Sequence, residues 1–92
     1  MDPGNAFARY GLAMEHIALG NPETALREFD ALIVHSPDYV PAYQMSAQTL
    51  VTLDRTEEAV ARLDEGIAAA QRTGNQHALA EMSSLRDELA NR

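Results

Sequence analysis

The stretch GNPETALREF, at residues 20–29, has a counterpart later in the chain, the stretch DRTEEAVARL at residues 54–63. Both stretches begin with residues typical of turns and continue with apolar side chains three or four positions apart, the pattern of one buried helix face. In the first stretch, Gly20 suits the left-handed end of a helix and Pro22 the first position of the next helix. Each stretch therefore predicts a turn between two helices.

Two further groups of turn residues, Ser36-Pro37-Asp38 and Thr73-Gly74-Asn75, break the remaining sequence. At the turn that opens the second stretch, Asp54 and Glu57 have the spacing of a capping box. No segment alternates between apolar and polar residues, so no strand is predicted. The sequence therefore predicts an all-α fold, with short connections, antiparallel neighbours and five helices at about 6–19, 22–35, 39–53, 56–72 and 76–90.

The alignment that places residue 20 on residue 54 superimposes the whole first helix pair on the second. The identical pairs are Ala8/Ala42, Ala13/Ala47, Leu19/Leu53, Glu23/Glu57, Ala25/Ala59, Asp30/Asp64 and Ile33/Ile67. The small residues Ala13, Ala25, Ala47 and Ala59 let two helices approach closely, and Phe29 and Leu63 are expected to fill the space beside them. A helix-turn-helix unit repeated at this spacing is typical of a stacked solenoid.

With these residues the chain resembles the tetratricopeptide repeat (TPR) family over residues 6–73. The marks of the family are Gly20, Ala25, Phe29 and Pro37 in the first unit, and Tyr43, Ala47, Ala59 and Leu63 in the second. The resemblance implies one domain over residues 1–92, an α-α superhelix. Its parts would be repeat one at 6–39, repeat two at 40–73 and a capping helix at 75–90.

The sequence departs from the family pattern at several positions. Arg9 stands where a large apolar residue is usual, Asp54 replaces the turn glycine, and Gln71 replaces the exit proline. Without a proline there, the fourth helix is expected to run on for another turn. The closing helix is expected to cap the stack, because its apolar residues form one stripe: Ala78, Leu79, Met82, Leu85 and Leu89.

The composition excludes several classes of partner. Fourteen acidic residues stand against seven basic ones, all of them arginine, and give a net charge of −7. Such a chain repels nucleic acid and anionic membrane surfaces, so neither is an expected partner. There is no cysteine and no apolar run of the length that crosses a bilayer. Together with the brevity of the chain and the preference for arginine over lysine, this favours a bacterial cytoplasmic location.

No pattern in the sequence predicts catalysis, a metal site or a cofactor. His16, His35 and His77 lie on different predicted helices, and no metal-binding, phosphate-binding or nucleophile motif occurs. The carboxylates of the fourth helix suit a solvated face, where Glu58 and Arg62 have the spacing of a favourable ion pair. We therefore expect a protein that is not an enzyme.

The resemblance implies that the first helix of each pair lines a concave groove that holds a protein or peptide. In this sequence the expected partner-binding residues are Phe7, Tyr10, Met14, Ile17, Gln44, Gln48, Val51 and Thr52, beside Pro41 and with Met82, Leu85 and Arg86 from the last helix. Paired glutamines suit an extended peptide backbone, and the aromatic residues suit an apolar anchor. Because the groove has no basic side chain on the first and third helices, a clamp for a terminal carboxylate is not expected.

Two other interpretations of the apolar first helix stay open. The residues Phe7, Tyr10, Leu12, Met14, Ile17 and Leu19 cover much of its circumference. Such a surface also suits self-association, which would make the chain a structural or scaffold unit and a homodimer. The same residues also suit plain packing within one chain. The sequence thus predicts a non-catalytic protein-interaction module, with self-association as the alternative.

Overall fold

The computed structural model describes residues 5–92, and five α-helices account for most of them. The helices are α1 (Ala6–Ala18), α2 (Pro22–His35), α3 (Val40–Thr52), α4 (Thr56–Thr73) and α5 (Gln76–Ala90). Their bounds lie within one residue of those predicted, and no strand occurs among the described residues. The all-α fold is confirmed. Within residues 5–92, no helix combines the length and the apolarity needed to span a membrane.

The helices pack in chain order, each against the next, and α3 also packs against α5. The molecule measures 43 × 31 × 18 Å, so it is a thin slab. This shape follows from two helical hairpins laid side by side, with α5 closing one end. The predicted superhelix of stacked hairpins is therefore confirmed.

The core consists of two groups of buried side chains, and the members of each group contact one another. The first joins α1, α2 and α3 and consists of Ala13, Ala25, Phe29, Leu32 and Ala42. The second extends from α2 to α5, with Tyr43, Leu50, Leu63 and Met82 among its larger members. The four alanines predicted to allow close helix packing, Ala13, Ala25, Ala47 and Ala59, are all fully buried, as are Phe29 and Leu63. The small residues do permit close approach, and the large ones fill the space beside them.

The closing helix buries the predicted stripe against the second group. Ala78, Met82 and Leu89 are buried, and Leu79 and Leu85 are half-buried. Helix α4 continues for one turn beyond the end of its counterpart α2, as expected from the absence of a proline at residue 71. It then stops at Gly74, whose φ of 71° lies in the left-handed region.

The predicted capping box at Asp54 and Glu57 is wrong. Asp54 has a φ of 60° and is the counterpart of Gly20, whose φ is 79°. Its N–H donates to the Val51 carbonyl at 2.9 Å, as the Gly20 N–H donates to the Ile17 carbonyl at 3.0 Å. Because Asp54 occupies the left-handed position of the turn, the N-cap position falls to the next residue, Arg55, and no side chain caps this helix.

The predicted ion pair between Glu58 and Arg62 is not the one that forms. Glu58 accepts from Arg55 at 2.8 Å, and Arg62 donates to Asp30 of the preceding repeat at 2.7 Å. Throughout this stack, arginines of later helices pair with acids of earlier elements, and Arg62 follows the same pattern. The pairs are Arg55–Glu23, Arg62–Asp30, Arg72–Asp38 and Arg86–Asp64. Apart from Arg62, whose side chain is 19% exposed, these side chains are at least about a third exposed, so each pair adds little stability.

Candidate functional site

A groove of about 810 Å³ runs between α1, α3 and α5. Its lining residues are Tyr10 from α1, then Pro41, Gln44, Met45 and Gln48 from α3, and His77, Ala80, Glu81, Ser84 and Leu85 from α5, with Leu63 and Met82 beneath them. Helix α3 supplies the central wall, because it packs against both α2 and α5 within the stack. The groove combines apolar surface with a few polar side chains, the usual composition of a recognition site.

The polar side of the groove is a small hydrogen-bonded cluster between α3 and α5. The amide nitrogen of Gln44 donates to Oε1 of Glu81 at 3.1 Å. Nε2 of His77 lies 3.3 Å from the same oxygen, one helical turn earlier on α5. Glu81 is the one acid in the lining, and no arginine is found there among the described residues. The groove therefore favours neutral or basic ligands over acidic ones.

Tyr10 forms the α1 wall of the groove and is itself held by two other rings. Its ring centroid lies 6.0 Å from that of Phe29 and 5.7 Å from that of Tyr39, both in tilted arrangements. Burial raises the pKa of the Tyr10 phenol, and the neighbouring Tyr39 raises it further. Tyr10 therefore presents a fixed, neutral aromatic surface to the groove at physiological pH.

The structure brings three of the expected binding residues, Tyr10, Gln44 and Gln48, together in this groove, and Pro41, expected beside them, also lines it. From the closing helix, Met82 and Leu85 also line it, as expected. Arg86 instead turns toward α4, where its guanidinium pairs with Asp64. The ring of Tyr10 and the amides of Gln44 and Gln48 thus line one groove, and their part in binding stays a prediction.

The other expected residues lie outside the lining. Phe7 is 76% exposed, whereas Met14 and Ile17 are half-buried and pack on the core around Phe29. On α3, Val51 packs against the second core group, and the hydroxyl of Thr52 donates to the Gln48 carbonyl at 3.1 Å. A part for these residues in binding stays a prediction.

The polar residues of α5 belong to the groove, which no sequence pattern indicates. His77, Glu81 and Ser84 are spaced by four and three residues, so they share one face of the helix. When the apolar stripe of α5 faces the core, the opposite side of the helix, which carries Glu81 and Ser84, is instead expected to face solvent. The spacing identifies the face but not its surroundings, which depend on how α5 is rotated against α3.

Two other features of the described residues are weaker candidates than this groove. A smaller depression of about 330 Å³ lies between α2 and α4, but its charged side chains largely pair with one another, as Arg62 does with Asp30. The histidines lie on three different helices, and residues 5–92 contain no cluster of acidic and histidine side chains suited to a metal ion. The larger groove is therefore the candidate site.

Comparison with known proteins gives consistent results. A family model described as tetratricopeptide repeat matches residues 16–82. A solution NMR structure of a tetratricopeptide repeat domain protein from Salinibacter ruber is 35% identical, with a TM-score of 0.90 over 97% of this chain and 90% of that one. A crystal structure of such a domain from the same organism is 34% identical, with a TM-score of 0.87 over 94% of this chain and 97% of that one. None of the curated proteins compared with the chain matches it.

Proposed function

We propose that this chain, which belongs to the tetratricopeptide repeat family, is a non-catalytic protein-interaction module that binds an extended peptide in the groove between α1, α3 and α5. Membership of the family supports a role in protein interaction. The observation that carries the finer proposal is the groove itself. Its lining includes the aromatic Tyr10 on α1 and the amides of Gln44 and Gln48 on α3, which supports the proposal.

The chemistry of the lining indicates which peptides fit. A glutamine side chain both donates and accepts, so Gln44 and Gln48 can pair with the N–H and C=O groups of an extended backbone. Tyr10, Met45 and Leu85 offer an apolar surface for one anchoring side chain. Glu81 adds a negative charge. The expected ligand is therefore an extended peptide with an apolar anchor and a neutral or basic remainder.

A peptide-display selection on the purified chain tests this proposal. Peptides with an apolar anchor and few acidic residues should be enriched, and a synthetic copy of one of them is then titrated by calorimetry. The double variant Gln44→Ala with Gln48→Ala should bind it about tenfold more weakly, because each lost backbone hydrogen bond weakens binding by roughly 0.5–1.5 kcal/mol. Both side chains lie at the groove surface, so the fold should be unchanged by circular dichroism.

The matched control is Gln71→Ala, which removes the same amide from an exposed position on α4. It should leave the affinity unchanged. Equal binding by the wild type and the double variant would refute the groove as the site. Enrichment of mainly acidic peptides would refute the proposed ligand chemistry.

Self-association through α1 is the alternative function. The apolar residues of α1 that self-association would use are only partly accessible. Tyr10, Met14 and Ile17 are half-buried within the chain, whereas Phe7 and Leu12 are exposed. Light scattering over a hundredfold dilution separates the two functions. A monomer at every concentration would exclude self-association.

A bacterial cytoplasmic setting is part of the proposal. The absence of cysteine and the use of arginine as the one basic residue type support it. Fractionation of the host cells tests it directly. Recovery of the chain mainly from a secreted or membrane fraction would contradict it.

A further inference from the structure

One side of α1 faces away from the other four described helices. Its residues, here called the outer face of α1, are all exposed: Phe7, Ala8, Gly11, Leu12, Glu15, Ala18 and Leu19. Glu15 is the only charged member of this set. Phe7 is 76% exposed and Leu19 66% exposed, which is unusual for large apolar side chains spaced along one helix.

The internal repeat provides a counterpart of this face on α3, whose contacts can be compared. In the alignment of the two repeats, it corresponds to a set on α3 and its C-cap: Pro41, Ala42, Met45, Ser46, Thr49, Thr52 and the C-cap residue Leu53. In that set Ala42, Ser46 and Thr49 are buried. Ala42 and Met45 pack on the core group that contains Phe29 and Leu32 of α2. Part of this face of the second repeat thus packs against the preceding helix through Ala42 and Met45, whereas Pro41 and Met45 also line the groove and Thr52 is exposed.

We infer that the outer face of α1 is a docking surface for an amphipathic helix that lies against α1 as α2 lies against α3. This inference is independent of the peptide groove, because none of the seven residues lines the groove. The geometry calls for apolar residues three and four positions apart on the docking helix. Phe29, Leu32 and Ile33 of α2 provide that spacing at the internal interface.

The charges beside this surface specify the chemistry of the docking helix. Between the two repeats, Arg62 of the later unit binds Asp30 of the earlier one. The counterpart of Arg62 in repeat one is Glu28, which has the opposite charge. The counterparts of Arg55 and Arg72 are Asn21 and Asp38, so no arginine stands at any of the three positions. The docking helix should therefore carry arginine or lysine where α2 carries Asp30.

A second copy of this chain does not meet that description. Its matching helix, α2, already uses the required apolar residues against α1 and α3, and it carries an acid at residue 30. Each copy also has a net charge of −7, which opposes association. The occupant that fits is thus a foreign helix with basic residues beside its apolar ridge.

The test uses two peptides with the sequence of residues 20–38 except for Arg27→Lys and Ala31→Glu, whose side chains are condensed into a lactam that holds each peptide helical, as verified by circular dichroism. One keeps the native acid and the other carries Asp30→Arg. In an NMR titration, the Asp30→Arg peptide should shift the amide signals of Ala8, Gly11 and Leu19. It should bind the wild-type chain about fivefold more tightly than the native-sequence peptide, since a repulsive charge pair becomes an attractive one.

Two variants of the chain make the test specific. Glu28→Arg restores the arrangement found at Arg62 and should reverse the preference between the two peptides. Ala8→Arg places a long charged chain where the counterpart Ala42 is fully buried, and it should abolish binding. The matched control Ala68→Arg alters an exposed alanine of α4 and should leave binding unchanged.

Several results would overturn the inference. They are an absence of shifts at about 1 mM peptide, shifts confined to Gln44 and Gln48, or a peptide preference that Glu28→Arg does not reverse. Sedimentation of the wild-type chain as a dimer that Ala8→Arg dissociates would also overturn it, because a second copy would then be the occupant.

Discussion

Gly66 and Gly11 both lie inside helices, but their surroundings are opposite. A Cβ added to Gly66 would lie 2.6 Å from the sulfur of Met82 and 2.6 Å from Cβ of Tyr43. The Met82 side chain can move, but Cβ of Tyr43 is fixed by the backbone of α3. A Cβ added to Gly11 would meet nothing within 4 Å. One glycine is required by close packing between helices, and the other is not.

The two glycines predict opposite effects of the same substitution. Gly11→Ala should raise the free energy of unfolding by about 0.5–1 kcal/mol, because alanine favours an exposed helix more than glycine does. Gly66→Ala should lower it by about 1–3 kcal/mol, because overpacking outweighs the gain in helix propensity. Urea denaturation of both variants checks this. A stabilised Gly66→Ala chain would contradict the packing described between α3, α4 and α5.

Tyr10 makes the stability depend on pH in the alkaline range. Folding raises the pKa of its phenol above the ordinary value of 10.0, mainly through burial. The resulting stabilisation is complete below pH 10 and is lost as the pH rises through the raised pKa. Tyr10→Phe keeps the ring but removes the phenol, so its unfolding free energy should fall less steeply above pH 10 than that of the wild type. Identical pH profiles from urea denaturation would show that Tyr10 ionises without effect.

Individual residues also show which structural features the sequence predicts and which it does not. The burial of the alanines and Phe29 is predictable because their spacing alone defines a helix face. The capping role of Asp54 was predicted wrongly, because a capping-box pattern does not state which residue takes the left-handed position. The internal repeat aligns Asp54 with Gly20, and this alignment does indicate that Asp54 takes the left-handed position. Likewise, the partner of Arg62 depends on how the repeats stack, which helix periodicity does not specify.

At the scale of the elements, α5 has two roles. Its apolar stripe covers the end of the core through Met82 and Leu89, and its polar face supplies Glu81 to the groove. The first role is predictable from the stripe. The second is not, because it requires the rotation of α5 relative to α3, and only the packed helices determine that rotation.

Truncation tests the capping role of α5. A chain that ends at Gly74 loses Ala78, Met82 and Leu89 from the core, so it should lose its cooperative thermal transition. Circular dichroism during heating measures this. A chain that ends at Ala90 is the matched control, since the two residues removed from it are exposed, and it should melt like the wild type. Cooperative melting of the shorter chain would show that two hairpins suffice.

At the scale of the whole molecule, the stack has two separate surfaces with different chemistry. The groove joins α1, α3 and α5 and has paired amides and one acid. The outer face of α1 is nearly all apolar, and Glu28 is the counterpart of a pairing arginine. The stacked repeats are predictable because the internal repeat is visible in the sequence. Which residues of α1 lie in the core, in the groove or on the outer face is not predictable in this way, because it depends on how the helices pack.

A spin label on the peptide selected for the groove tests the central proposal most directly. With the nitroxide beside the apolar anchor, NMR should show the strongest broadening at the amide signals of Gln44, Gln48, Ala80 and Ser84, which are brought together only by the groove between α3 and α5. Broadening centred on Leu19 and Val34, with those four signals unaffected, would contradict it.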